Sequence, residues 1–226
     1  MHWIQQFHLF LFDFDGLLVN TEEIHFLAYK KMCADRGFTL PWDFKRYCMV
    51  AHYDSEGLKR EIYADLPELY RMEPRWEVLY AEKKENMIHL LKEGAVHLMP
   101  GVETLLRAIA DAGIPRCVVT NSPKDQIDLI KEKNPILQSI PNWFTRETYN
   151  QPKPNPECYL NAIAKMGVSD KIIGFEDTPR GLKALLQTQA KPVLVSEVDY
   201  PEIPGFIQQG VTYFPSLLNL PDNRLE

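Results

Sequence analysis

Residues 7–19 read FHLFLFDFDGLLV, and this stretch decides how the rest of the chain is read. Phe7 to Phe12 is a short apolar and aromatic run of the kind that forms a strand buried on both faces, and it ends abruptly in acid at Asp13 and Asp15. Two residues apart on an extended segment, those carboxylates project the same way. Beyond them, from Thr21 to about Leu98, the chain turns to charged segments with helical spacing, such as Ile24, Leu27, Ala28 and Lys31, or Trp76, Leu79, Tyr80 and Lys83. From Pro100 strand and helix alternate. PGVETLLRAIADAG has proline in its first turn and Gly113 past its last. Cys117 to Thr120 precedes a helix near Pro123, and Pro156 opens ECYLNAIAKMG. Ile172 to Phe175 leads to a helix near Pro179, and Pro192 to Val195 reads as a further strand. Strand, helix, strand in this order implies right-handed crossovers and a parallel sheet. The expected fold is therefore α/β, a Rossmann-like parallel core formed by residues 1–19 and 98–226, with a helical insert over residues 20–97. The segment from Asn134 to Pro156 and the proline-containing tail after Ser196 receive no assignment.

Composition narrows the partners. In 226 residues, 25 basic against 31 acidic side chains give a net charge of -6, which leaves no electrostatic footprint for nucleic acid or an anionic membrane surface. An anionic ligand must then be held by local groups. Cys33, Cys48, Cys117 and Cys158 include no CxxC pair, which argues against a zinc site and a disulfide framework and for a reducing cytoplasm. Met1 to Phe14 lacks the basic leader of a signal peptide, and no apolar run approaches the length of a membrane span. Nothing in the sequence sets an oligomeric state.

Open α/β sheets bind ligands at the carboxyl ends of their strands. The residues collected there are Asp13 and Asp15, then Thr120, Asn121 and Ser122, then Glu176 and Asp177, with Lys153 of QPKPNP the cation in a comparably constrained loop. Several carboxylates at one edge repel each other, and a bound divalent cation is the usual remedy; Mg2+ suits a site that also holds phosphate. Taken singly, each residue has a structural reading as well. Asp13 and Asp15 could cap a turn, Thr120 could end a strand, Glu176 and Asp177 could cap a helix, and Lys153 could be a solvated loop cation.

The set FLFDFDGLLVNTE, VVTNS, PKPNP and GFEDTPRG, in this order at comparable strand ends, resembles the four motifs of the haloacid dehalogenase superfamily from Phe10 to Val195. The DxDG start ending at Gly16, the helical insert directly after it and the GFED segment look most like the β-phosphoglucomutase subfamily. The resemblance implies an enzyme, a phosphatase or phosphotransferase, with Asp13 as nucleophile and Asp15 as general acid and base. It implies Mg2+ held by Asp13, the Asp15 carbonyl, Glu176 and Asp177, and phosphate held by Thr120, Asn121 and Lys153. It also implies a cap that closes over the site and reads the leaving group, with Gly16, His25, Asp54 and Lys84 on the substrate side.

One departure bears on the substrate. Mutases of the subfamily carry a Gly-x-x-Arg segment on the cap whose arginine holds a second phosphate. Here the stretch reads VAHYDSEGL, with Ala51 and Asp54 at those positions and no lysine or arginine between Arg46 and Lys59. A carboxylate there repels phosphate. The expectation is a Mg2+-dependent phosphomonoester hydrolase acting on a small phosphorylated metabolite through an aspartyl phosphate. The alternatives are a β-phosphoglucomutase-type isomerase and a non-catalytic module that binds a phosphate ligand.

Overall fold

The first strand, β1 (Leu9–Phe12), is buried along its whole length, and the strand alternation divides its side chains between two cores. Phe10 and Phe12 pack against Phe175 with ring centroids 6.3 and 5.3 Å away, under Trp3 and Phe7. Leu9 and Leu11 belong instead with Cys117, Val119, Cys158, Tyr159 and Ile172. These observations come from a computed structural model, which describes residues 1–53 and 56–225.

Five further strands complete the sheet: β2 (Arg116–Val119), β3 (Asn142–Phe144), β4 (Ile172–Glu176), β5 (Lys191–Val195) and β6 (Thr212–Phe214). Their order is β3-β2-β1-β4-β5-β6, and every pairing is parallel. The fold is thus an α/β doubly wound sheet with a topological switch beside β1. Phe12 aligns with Val118 on one side and with Phe175 on the other, so three strands end at one level.

β3 lies in the segment between Asn134 and Pro156, and β6 in the tail after Ser196, so both regions left unassigned by sequence contribute edge strands. Each is three residues long and half-buried, too short and too exposed to leave an apolar run. The tail also holds a short helix, Ile203–Gln208.

The described chain divides into two compact units, one of Met1–Val19 with His97–Glu226 and one of Asn20–Val96. The second is helical: α1 (Thr21–Asp35), α2 (Phe44–Ala51), α3 (Gly57–Asp65), α4 (Pro67–Met72) and α5 (Trp76–Lys92). Within it α1 and α5 are joined by the stacked rings of Tyr29 and Trp76, 6.2 Å apart, and by the Arg36–Glu82 ion pair. In the sheet unit, α6 (Val102–Asp111), α7 (Lys124–Lys133), α8 (Glu157–Met166) and α9 (Pro179–Leu185) follow their strands. Among the described residues, no helix is long and apolar enough to cross a membrane.

Candidate active site

Asp13 follows directly on β1, and its backbone amide donates to the carbonyl of Phe175 at 3.0 Å, which extends the β1–β4 pairing past the last strand residue. Gly16 then turns the chain with φ 77° and donates to the carbonyl of Val19 at 2.8 Å, a left-handed conformation that glycine adopts without strain. Thr120, one residue past β2, is held by a backbone hydrogen bond to the carbonyl of Phe144 at 2.9 Å. The edge strand β3, invisible in the sequence, is therefore what anchors Thr120.

Asp13, Thr120, Lys153, Glu176 and Asp177 are all buried. Lys153 Nζ donates to Asp13 Oδ1, to Glu176 Oε1 at 2.6 Å and to the carbonyl of Val119 at 2.8 Å. The Tyr159 hydroxyl accepts from Lys153 at 3.1 Å and itself donates to Glu176 Oε1. On the other side of the strand end, the Asp15 carboxylate accepts from the hydroxyls of Thr120 at 3.0 Å and Ser122 at 2.5 Å, and the Ser122 amide donates to Thr120 Oγ1 at 2.9 Å. Asn121 turns its side-chain oxygen to the Tyr149 hydroxyl at 2.6 Å and to the amide of Lys153 at 3.3 Å. It thereby ties the loop after β2 to the loop that carries the lysine.

Burial pushes the Asp13 carboxyl well above the usual carboxylate range; Lys153 opposes this, while Glu176 and Asp15 add to it. Burial by itself lowers the Lys153 ammonium, but Asp13 and Glu176 outweigh it and hold the lysine above its ordinary value. Asp13, Glu176 and Asp177 each offer a carboxylate oxygen, and these lie within 4.8 Å of one another. Lys153 pairs with Asp13 and Glu176, two carboxylates on one ammonium, and the donors of the cluster are all hard oxygens. Both features fit a divalent cation of the magnesium type.

α9 approaches this cluster closely: a Cβ on Gly181 would stand 2.0 Å from Glu176 Oε2. Thr178 caps that helix through the Gly181 amide at 3.2 Å. The GFEDTPRG segment thus supplies, in order, the acids, the cap and the one residue small enough to pass Glu176.

The helical unit carries a second buried polar group. Glu22 accepts from the Tyr47 hydroxyl at 3.2 Å and lies 3.1 Å from His52 Nε2, while His25 Nδ1 contacts the buried Lys83 ammonium. Lys84 is exposed on α5, its Nζ 4.7 Å from the Tyr80 ring centroid, so Lys83 is the lysine that α5 turns toward His25. Asp54 lies outside the described residues. The sequence reading did not assign roles to Ser122, Tyr159, Gly181 or Lys83. Ser122 stands among the strand-end residues that the sequence collects, and Lys83 carries a signal of its own, since four residues after the apolar Leu79 it falls on the same helix face.

Comparisons with known proteins point one way. The profile of the haloacid dehalogenase-like hydrolases matches residues 10–195. The probable pseudouridine-5'-phosphatase of Drosophila melanogaster is 30% identical over 83% of this chain and 80% of its own length. A β-phosphoglucomutase of Mycobacterium tuberculosis is 28% identical over 77% of this chain and 75% of its own length. The crystal structure of CbbY from Rhodobacter sphaeroides in complex with phosphate superposes with a TM-score of 0.73 at 21% identity, over 95% of this chain and 96% of that one.

Proposed function

The chain belongs to the haloacid dehalogenase-like hydrolases, and from that premise we propose that it is a Mg2+-dependent phosphomonoester hydrolase that works on a small phosphorylated, sugar-like metabolite through an aspartyl phosphate. The observation that carries the reading is the buried contact of Asp13 with Lys153, set beside Glu176 and Asp177. A lysine there balances the charge of an attacking carboxylate and an incoming phosphoryl group at once.

In this reading an Asp13 oxygen attacks phosphorus and the bond to the ester oxygen breaks. Asp15 gives its proton to that leaving oxygen. In the second step Asp15 takes a proton from water, whose oxygen displaces phosphate from Asp13 and restores the carboxylate. The hydroxyls of Thr120 and Ser122 hold the Asp15 carboxyl group in place for both transfers. Asp13, Glu176 and Asp177 with the Asp15 carbonyl would hold Mg2+, and the ion would supply charge withdrawal from the phosphoryl oxygens. Lys153 and the loop after β2, tied together through Asn121, cradle the phosphate.

Hydrolysis is favoured over isomerisation by the helical unit. A mutase needs a second phosphate anchor. Arg46, the last guanidinium before the stretch without lysine or arginine, is engaged by Asp65 at 2.8 Å and lies over the Trp42 ring. The phosphatase name of the fly relative supports the same choice. Cys33, Cys48, Cys117 and Cys158 are all buried free thiols, which supports a reducing compartment, and we place the enzyme in the cytoplasm.

The test is release of inorganic phosphate from a panel of sugar phosphates, nucleoside monophosphates including pseudouridine 5'-phosphate, and glycerol 3-phosphate. Expected are turnover with Mg2+, its loss on chelation without recovery in Ca2+, and its loss in a folded Asp13→Asn variant by about 10⁴-fold or more. Undiminished release by that variant excludes the covalent route. With β-glucose 1-phosphate and a trace of glucose 1,6-bisphosphate, glucose 6-phosphate forming faster than free phosphate overturns the hydrolase reading. No turnover of any substrate leaves a binding module.

A further inference from the structure

Neither chemical step uses the hydroxyl of Tyr159, yet that hydroxyl sits among the atoms those steps need. Tyr159 is a fully buried residue of α8, its ring packed with Leu9, Leu11 and Cys117. Lys153 has three hydrogens to give and meets four acceptors: Asp13, the Val119 carbonyl, Glu176 and the Tyr159 oxygen. The ammonium is therefore shared and does not by itself fix Glu176. A phenol has one hydrogen on a stiff ring, and this one is directed to Glu176 Oε1. The whole carboxylate lies over the first turn of α9, its oxygens 2.0 and 2.4 Å from where a Cβ on residue 181 would stand, so only glycine there leaves room for it. Between the phenol and that turn the carboxylate is held in one orientation.

We infer that Tyr159 is a positioning residue for the acidic cluster: its hydroxyl holds Glu176 in the orientation in which Asp13, Glu176 and Asp177 bind one divalent cation. This rests on the Mg2+ site proposed above. A donor of this kind orients a ligand without touching the metal, and loss of such a partner typically costs about 10–100-fold in metal affinity or activity.

The test compares wild type with Tyr159→Phe, which keeps the ring, and with Tyr213→Phe, which removes a hydroxyl donating to the Ser196 carbonyl at 3.0 Å. Mg2+ binding to the metal-free proteins is measured by calorimetry without substrate. Expected is an Mg2+ Kd about tenfold higher in Tyr159→Phe and unchanged in Tyr213→Phe, with no further loss when Tyr159→Phe is added to Glu176→Gln. In turnover, kcat at limiting Mg2+ falls and recovers as Mg2+ is raised. A wild-type Kd in Tyr159→Phe overturns the inference. So does loss of its near-UV dichroism without metal, which makes the hydroxyl a requirement of folding instead. Wild type that binds Mg2+ but hydrolyses nothing breaks the hydrolase reading and leaves the affinity comparison to decide the role of Tyr159.

Discussion

In the sheet unit three buried carboxylates lie together, two of them on one ammonium, and burial drives the Asp13 carboxyl upward against the pull of Lys153. In the helical unit a single carboxylate, Glu22, is met by His52, His25 and Tyr47. Burial alone would raise it, but these neighbours outweigh burial and hold it at about 2. His25, desolvated and set against Lys83, falls to about 3 and stays neutral. In the first cluster one ammonium is shared by two carboxylates with a third beside them, the arrangement that the proposed cation would complete. The second settles its charge internally, by ionising its acid and leaving an imidazole uncharged. A buried group with charge still to be matched marks a site, whereas one already matched marks structure or the support of a site.

The strongest way to break this contrast is to remove the one cation of the sheet cluster. Lys153→Met keeps length and apolar volume but leaves Asp13 and Glu176 facing each other. Expected are a fall in kcat of about 10²–10³-fold and a loss of about 3–5 kcal/mol in the metal-free protein, partly restored by Mg2+. Phosphate release and denaturant unfolding, each with and without Mg2+, measure both. Unchanged stability with or without the metal would place the cluster among those already balanced.

Gly181→Ala sharpens the same point through sterics. Its new methyl would meet Glu176 Oε2 at 2.0 Å, so either the carboxylate turns or α9 shifts. A destabilisation of about 1–3 kcal/mol is expected together with weaker Mg2+ binding. If stability falls while Mg2+ affinity holds, α9 has moved and Glu176 has kept its place.

The smallest effect belongs to the helical unit and follows from sign. A histidine whose folded pKa is depressed from 6.5 to about 3 contributes stability that is complete above 6.5 and is lost as the pH falls through that interval. Glu22 begins to contribute a slope only below its ordinary value of 4.5 and down to about 2, while the raised Asp13 carboxyl contributes one of opposite sign above its ordinary value, so His25 is isolated by the difference between wild type and variant between pH 6.5 and 4.5. The slope is at most about 1.4 kcal/mol per pH unit, reduced by water's access to the half-buried ring. His25→Gln should flatten the fall in unfolding free energy over that range. A slope identical to wild type would show that His25 is not held neutral by its surroundings.

Much of the core was legible in sequence. The run Leu9–Phe12 announces a strand covered on both faces, because alternation needs an exposed face and this run has none. Asp13, Thr120, Glu176 and Asp177 could be collected before any coordinates, since ends of parallel strands converge and acids or hydroxyls just past them share an edge. The same periodicity failed at the sheet's margins. β3 and β6 are half-buried three-residue strands whose side chains carry little pattern, yet β3 anchors Thr120. Helical spacing placed Lys83 on the stripe with Leu79, and one residue's rotation separates it from the exposed Lys84.

Residue order along the chain thus determined the four inner strands and the chemical types gathered at their edge, because both follow from local patterns of burial and from the direction of the strands. Only the tertiary structure decided which atoms meet. That Lys153, Tyr159 and Gly181 converge on Glu176 depends on α8 and α9 crossing the end of β4 at close range. Contacts between residues so far apart in sequence are set by packing of the whole unit, and no local pattern records them.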